Sequence, residues 1–339
     1  LGYFKDRWVF GKEAKRLAVV GEDCTETDLY GKAKRREKVS LAGKTYDAVW
    51  LLAKYISLTL QDFENIQYLT FTTPETDVDM AKMLKGIGQH IGVDKEIINV
   101  QDYKESFCQY MIFQPKELWQ YESALFYCDE DRIKAYMLRR LRVDASHGMN
   151  SFVTVDEVAN AQRKELEALY PIMNKEKSPD ESFKSMIENV FEKKVISSVY
   201  LTGEGFEKNW YPNSLRVLCN GRRAFMGNNL YSKGACYKSI RKCEPNDDGP
   251  IYLDETKLTE RICLRMRVDG QEGWYPLVTW GTHWYEADGQ WEVLLEDASD
   301  IEILVESLVD EEVQVEKVSL EGLPKRTDYS LRLQVETMF

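Results

Sequence analysis

The sequence predicts an α/β body followed by an all-β region, and three observations carry that expectation. Up to about residue 242, segments with an apolar residue every three to four positions alternate with short runs rich in β-branched and aromatic residues, as helices interleaved with strands do. Beyond residue 250 the helical period is gone and apolar residues alternate one by one. Between the two, Glu244-Pro245-Asn246-Asp247-Asp248-Gly249-Pro250 concentrates turn formers and acids and marks the clearest domain boundary. A length of 339 residues, at roughly 150 per domain, fits about two domains, each able to bury a core.

In chain order, Tyr46, Val49, Leu52, Ala53, Ile56 and Leu60 set one apolar stripe of a helix. Ile66 to Thr73 reads as a strand stopped at Pro74, which has no N–H to give a ladder. Met80, Leu84, Ile87 and Ile91 predict the next helix and Asn99-Val100 a short strand. Asp102-x-x-Glu105 predicts a capping box that opens a helix with Phe107, Tyr110 and Met111. Ala124 to Cys128, an acidic turn at Asp129-Glu130-Asp131, and Ile133 to Leu138 predict a β-hairpin. Thr154-x-x-Glu157 predicts one helix start. Ser178-Pro179-Asp180-Glu181 predicts another, with Ser as N-cap, Pro at the first helical position and a stripe through Phe183, Ile187 and Val190. Strands are expected at Val195 to Leu201 and Leu215 to Cys219, and a helix at Leu230 to Lys242. After the boundary, the alternations around Ile262, Val293, Ile301, Val313 and Leu331, with Asp-Gly turns at 269–270 and 288–289, predict a β-sandwich.

Composition narrows the function. With 57 Asp+Glu against 45 Lys+Arg and a net charge of −12, the chain lacks the basic surplus that binding to a phosphate backbone needs, so nucleic acid is not an expected partner. No stretch approaches the ~18–20 apolar residues of a membrane-spanning helix, so no membrane partner is expected. Seven scattered cysteines without a C-x-x-C pair read as buried, reduced thiols of a cytoplasmic protein. The chain opens on Leu1, with neither Met nor a signal-like segment, and reads as a fragment.

The sequence carries no G-x-x-x-x-G-K-[ST], G-x-G-x-x-G or H-E-x-x-H, and its three histidines, His90, His147 and His283, are far apart, so neither a metal site nor a Ser-His-Asp site is expected. Leu201-Thr202-Gly203-Glu204-Gly205-Phe206 is the leading ligand candidate. A strand that ends on two glycines bares backbone N–H groups to a phosphate or a ring; taken alone, the run reads as an ordinary strand-to-helix turn. The acidic turn 129–131 reads as a solvated hairpin turn rather than a cation site. Trp274, Trp280, Trp284 and Trp291, with Tyr275 and Tyr285 beside them, would form a platform for sugars or peptides if exposed. Burial in the sandwich core or against the first domain is the favoured reading.

Val199-Tyr200-Leu201-Thr202-Gly203-Glu204-Gly205, followed by Gly227-Asn228-Asn229-Leu230-Tyr231-Ser232-Lys233-Gly234-Ala235-Cys236, resembles the adenosine motif and following helix of actin-like ATPases and DnaK-type heat-shock chaperones. Arg7 to Ala14, Leu69 to Glu75, Gly92-Val93 with Ile97 to Val100, and Val318 to Arg326 resemble further segments of the chaperones in the same order. The resemblance implies an actin-like, ribonuclease H-like fold in two lobes, residues 1–122 and 123–245, and a peptide-binding sandwich at 251–339. It implies ATP or ADP, with Mg, held by Thr202, Gly203, Glu204, Gly205, Phe206, Lys233 and Gly234.

The sequence also departs from that pattern. The opening Asp-x-Gly-Thr turn would lie before Leu1. The second phosphate turn, glycine-rich in the family, corresponds to Tyr127-Cys128-Asp129-Glu130-Asp131-Arg132, where each carboxylate at ~4 Å would repel an anion by several kcal/mol at intermediate dielectric. The family's Gly-Gly is Gly203-Glu204, and Leu138 to Val195 is short for the extra subdomain that clamps adenine. The expectation is a diverged chaperone-like protein with little or no ATP hydrolysis, whose sandwich binds a polypeptide or packs on the body. The alternatives are a non-catalytic scaffold or adaptor and a carbohydrate-binding module built on Trp274 to Trp291.

Overall fold

The structure is a computed structural model that describes residues 1–20, 23–129, 132–142, 151–162, 178–207, 209–244, 249–294, 300–308, 313–320 and 330–335. The expectations placed on Glu130, Asp131, His147, residues 245–248 and residues 321–326 lie outside the described residues. The chain divides into two units, Leu1–Tyr103 with Lys238–Cys243, and Lys104–Tyr237 with Glu244–Phe339.

In the first unit, β1 (Gly2–Phe4) and β2 (Arg7–Val9) form a hairpin, followed by α1 (Gly11–Val20) and α2 (Leu29–Lys34). A second hairpin joins β3 (Lys38–Leu41) to β4 (Lys44–Asp47). The expected first stripe residue, Tyr46, lies in β4. Asp47 sets the start of α3 (Ala48–Leu60), because its carboxylate accepts the free N–H groups of Val49 at 2.8 Å and Trp50 at 3.1 Å. β5 (Leu69–Thr73) pairs in parallel with β6 (Ile98–Asp102), and α4 (Val78–His90), capped by Asp77, connects them. Met80, Met83, Leu84 and Ile87 form the buried face of α4. Next in the chain is α5 (Tyr103–Ile112).

The second unit contains a six-stranded sheet. Its strands are β7 (Glu122–Cys128), β8 (Arg132–Arg142) and β9 (Ser151–Gln162), then β10 (Ile196–Thr202) after α6 (Pro179–Phe191). β11 (Arg223–Met226) follows α7 (Pro212–Leu218), and β12 (Ile251–Tyr252) follows α8 (Leu230–Cys243). The order is β11-β10-β7-β8-β9-β12. β8 runs antiparallel to β7 and β9, while β10 is parallel to both β7 and β11. Alternate residues serve the two faces. Ala124, Phe126 and Cys128 of β7 and Val199 and Leu201 of β10 pack with Phe183 and Ile187 of α6 and Leu218 of α7. On the other face Tyr200 meets Phe107 and Tyr110 of α5, and Gly234 of α8 backs so closely on α5 that an added Cβ would overlap the Ser106 carbonyl oxygen.

Two elements differ from expectation. Thr154-x-x-Glu157 lies inside β9, where Phe152, Val153 and Val155 are buried and the residues pair with β8 from Ser151 to Gln162. The Thr and Glu match a capping box, but the apolar residues around them follow no helical stripe. Leu215 to Cys219 forms the end of α7 rather than a strand. Pro212 occupies its first turn, and the buried Asp180 carboxylate of α6 accepts the N–H groups of Asn213 at 2.7 Å and Ser214 at 2.8 Å. That tertiary cap has no local signature.

Beyond residue 258 the described elements are strands and one short 3-10 turn at Trp284–Glu286. The strands are β13 (Glu260–Val268), β14 (Gln271–Val278), β15 (Gly289–Leu294), β16 (Asp300–Ser307), β17 (Val313–Ser319) and β18 (Ser330–Val335). β14-β13-β16-β17 form an antiparallel sheet, and β15 pairs with β18. The expected Asp-Gly turn joins β13 to β14, with Asp269 at φ 49 and Gly270 at φ 80, the left-handed pair of a two-residue hairpin.

Asp180 is buried, yet its pKa is lowered. Burial opposes ionisation, and the bonds from Ser214 and Asn213 outweigh it. Asp180→Ala is expected to cost about 2–4 kcal/mol by leaving the α7 donors unpaired, read as a lower denaturant midpoint at unchanged m-value.

Candidate functional site

In an open α/β sheet a ligand crevice forms where neighbouring connections leave the sheet in opposite directions, beyond the carboxyl ends of the strands. Here that place lies between β7 and its parallel neighbour β10. β10 delivers Thr202, Gly203, Glu204, Gly205 and Phe206 to it, and β7 delivers Cys128 and Asp129. Gly203 and Gly205 are thus neighbours in space of Cys128 and Asp129, although Asp129 and Gly203 are 74 positions apart in sequence.

The conformation of the turn explains its glycines. Gly203 has φ 107, a region closed to side-chain-bearing residues, and an added Cβ would overlap the Cys128 carbonyl oxygen. At Gly205 the same atom would overlap Cys128 Sγ and lie 2.8 Å from the Asp129 carbonyl oxygen. Thr202 and Phe206 are buried, the latter in the core beside Phe183, and Glu204 is exposed. The Gly203 N–H donates to Asn228 Oδ1 at 3.1 Å, and Asn228 Nδ2 donates to Glu207 Oε1 at 3.0 Å, so Asn228 ties the turn to the start of α8. On α8, Lys233 is exposed and Gly234 is buried against Ser106. Cys128 and Asn228 lie inside segments quoted for the resemblance, but the sequence gives no sign that Cys128 packs behind the two glycines or that Asn228 takes the Gly203 N–H.

A nucleotide phosphate at this turn needs free backbone donors. The Gly203 N–H is committed to Asn228, and the space behind both glycines is filled by Cys128. On the adjoining strand end stands the Asp129 carboxylate, accepting from the Arg132 N–H at 2.7 Å. The Gly203 N–H, one donor of the turn, is thus already taken within the protein.

The tryptophans are spread over separate elements. Trp280 is half-buried with Phe152, Leu253 and Leu308, lies against the Arg261 guanidinium at 4.3 Å and donates to the Glu306 carbonyl oxygen at 3.2 Å. Trp284 packs edge-on to Tyr285, Trp291 belongs to β15, and Trp274 of β14 is 39% exposed. Cys24, Cys108, Cys128 and Cys263 are buried as expected for structural thiols, whereas Cys219, Cys236 and Cys243 are exposed because they fall on outward faces at helix ends and on α8.

His283 belongs to a buried polar chain that the sequence did not reveal. Lys257 Nζ lies 3.0 Å from Glu105 Oε2, and both side chains are less than 5% exposed. Lys257 Nζ also donates to His283 Nε2 at 2.8 Å. Nε2 is then an acceptor, so Nδ1–H donates to Thr256 Oγ1 at 2.8 Å, and the Thr256 hydroxyl donates to Asp254 Oδ1 at 2.7 Å. Burial first, and the Lys257 charge second, push the His283 pKa down to about 4, which keeps the ring neutral as this chain of bonds requires. Glu105 and Lys257 are 152 positions apart, so no spacing rule reaches them.

The chain matches, over residues 3–255, the family described as "Family of unknown function (DUF5716) C-terminal". It belongs to that family. Residues 257–339 match "Domain of unknown function (DUF8552)", so the boundary between the two families falls one residue before Lys257. No curated protein matches the chain.

Gly205→Ala is expected to cost about 2–3 kcal/mol from overpacking, and Cys128→Ala in the same chain to recover part of that loss, because the side-chain sulfur is one of the clashing atoms. Gly203→Ala is expected to resist the same rescue, since its clash is with the Cys128 backbone. Chemical denaturation of the four variants measures both.

His283 carries a sign-defined pH dependence. Its folded pKa lies below the unfolded 6.5, so its contribution is complete above 6.5 and is lost as pH falls toward 4, on the order of 3 kcal/mol. The difference in stability between wild type and His283→Gln is expected to shrink across that window; a constant difference would count against the neutral ring.

Proposed function

We propose that this chain is a diverged, chaperone-related actin-like protein of the cytoplasm that works without nucleotide turnover, as a scaffold for a polypeptide partner. The single observation that carries the non-catalytic reading is Cys128, which fills the space behind Gly203 and Gly205 at the sheet edge where a nucleotide would have to sit. The actin-like part is supported by the sheet. A three-stranded meander, β7-β8-β9, is followed by two strands, β10 and β11, that return on the other side of β7 and run parallel to it, each reached through a helix.

The strand-rich region supports the scaffold reading because it is fastened to the body. β12 adds a parallel strand to β9, the Leu253 N–H donates to the Val153 carbonyl oxygen at 3.0 Å, and Lys257 is buried on Glu105. A polypeptide partner has an edge to meet at β11, which is bonded to β10 and ends the sheet. Phe225 and Met226 are exposed on β11 and line a cavity of about 430 Å³ with Tyr211 and Leu215. An extended segment added to a free strand edge gains main-chain hydrogen bonds, and such a cavity takes its side chains. Among the described residues, no helix is long and apolar enough to cross a membrane.

Calorimetric titration with ATP and with ADP in the presence of Mg²⁺ is expected to give no saturable heat up to millimolar nucleotide, and purified protein to give no phosphate release above background. Phosphate release above background by the purified protein would overturn the non-catalytic reading, and stoichiometric nucleotide binding would overturn the claim that Cys128 closes the site.

A further inference from the structure

The first unit holds a second concave site, and three features of it have no structural reason. It is a cavity of about 420 Å³ between α3 and α4, floored by Val49, Met83 and Ile87 and flanked by Trp50, which is 46% exposed. A volume of this size is that of a small-molecule pocket.

The first feature is Gly86. Glycine inside a helix is unfavourable relative to alanine, and α4 contains two. Gly88 is required by packing, since an added Cβ would lie 2.6 Å from Ile98 Cδ1. Gly86 is not: its added Cβ would meet nothing within 4 Å, its φ is ordinary, and it lines the cavity. The missing side chain serves only to deepen the pocket.

The second feature is Arg36. It follows the cap of α2 with φ 56, and the bonds from Arg36 N–H to the Ala33 carbonyl and from Glu37 N–H to the Lys32 carbonyl make it the left-handed position of a Schellman turn. Glycine is the favoured residue there, yet this chain places an arginine whose side chain lines the cavity. The third feature is charge. In a chain with a net charge of −12, Arg36 and Lys82 at this rim have no ion pair among the described residues, and His90 adds an imidazole. The acid of the lining, Asp47, is engaged in capping α3.

We propose that this cavity binds a small amphipathic anion, with an apolar body on the Val49–Met83–Ile87 floor over Gly86 and a carboxylate or other anionic head between Arg36 and Lys82. The site stands apart from the glycine turn and does not depend on the scaffold reading.

The test is calorimetric titration of the whole chain with two probes, decanoate and naphthoate, and with decyltrimethylammonium as the charge-reversed control. Saturable one-to-one binding of at least one anionic probe, and none of the cation at the same concentrations, is expected. Gly86→Leu fills the pocket from a strain-free helical position and is expected to weaken the anion at least tenfold. Arg36→Gly relieves the left-handed backbone and is expected to weaken it severalfold. Both substitutions favour the local backbone, so thermal melting is expected to hold or rise by about 2–4 °C, which separates lost binding from lost folding. Absence of saturable binding by both anions, equal binding of the cation, or unchanged affinity in Gly86→Leu overturns the proposal.

Discussion

Strand β7 is the constraint on which the second unit depends. It is hydrogen-bonded along both edges, to β8 in antiparallel and to β10 in parallel register. Its alternate side chains feed both layers of the core, Phe126 toward α6 and Leu125 toward the other face. A strand held in this way cannot move aside at its end. The turn that follows β10 has to pass directly over Cys128, and only residues without a Cβ can do so. Gly203 and Gly205 are therefore explained by the sheet itself, without any ligand.

The same sheet determines how the C-terminal region is held. β9 is the far strand of the meander and would be an open edge, which β12 covers. The contact is then completed by unlike means. Phe152, Leu253, Leu308 and Trp280 provide apolar burial, whereas Glu105, Lys257 and His283 provide a buried polar chain in which Lys257 meets both Glu105 and His283, and His283 donates on to Thr256. An ion pair of this kind contributes little net stability after desolvation, but misplacing it strands a buried charge at a cost of several kcal/mol. Its effect is to reject other placements of Lys257 and Thr256 against α5, and it joins residues on both sides of the boundary between the two family matches.

Local signals were legible wherever local forces decide the structure. The hairpin of β7 and β8, the Ser178 cap with Pro179 in the first turn of α6, the strand ending at Thr202 and the helix opening at Leu230 follow from periods, caps and turn formers within a few residues. Thr154 and Glu157 carry a helix-start pattern, but pairing with β8 along the whole of β9 outweighs a capping preference of about 1 kcal/mol. α7 was hidden for the opposite reason, since the Asp180 carboxylate that starts it lies 32 positions before Pro212.

The sequence by itself determined the alternation of helices and strands up to residue 242, the change to strands beyond 250 and the place of the glycine turn, because these depend on neighbours three or four residues away or on backbone freedom. Tertiary structure alone decided what faces that turn. Cys128 against Gly203, Asn228 on its N–H, Glu105 beneath Lys257 and the open space over Gly86 are relations between distant segments, and hydrogen bonding and close packing create them only once the sheet and its helices are assembled. A glycine reads the same in the sequence whether a carbonyl, a sulfur or a cavity lies above it; its neighbours in space give it its role.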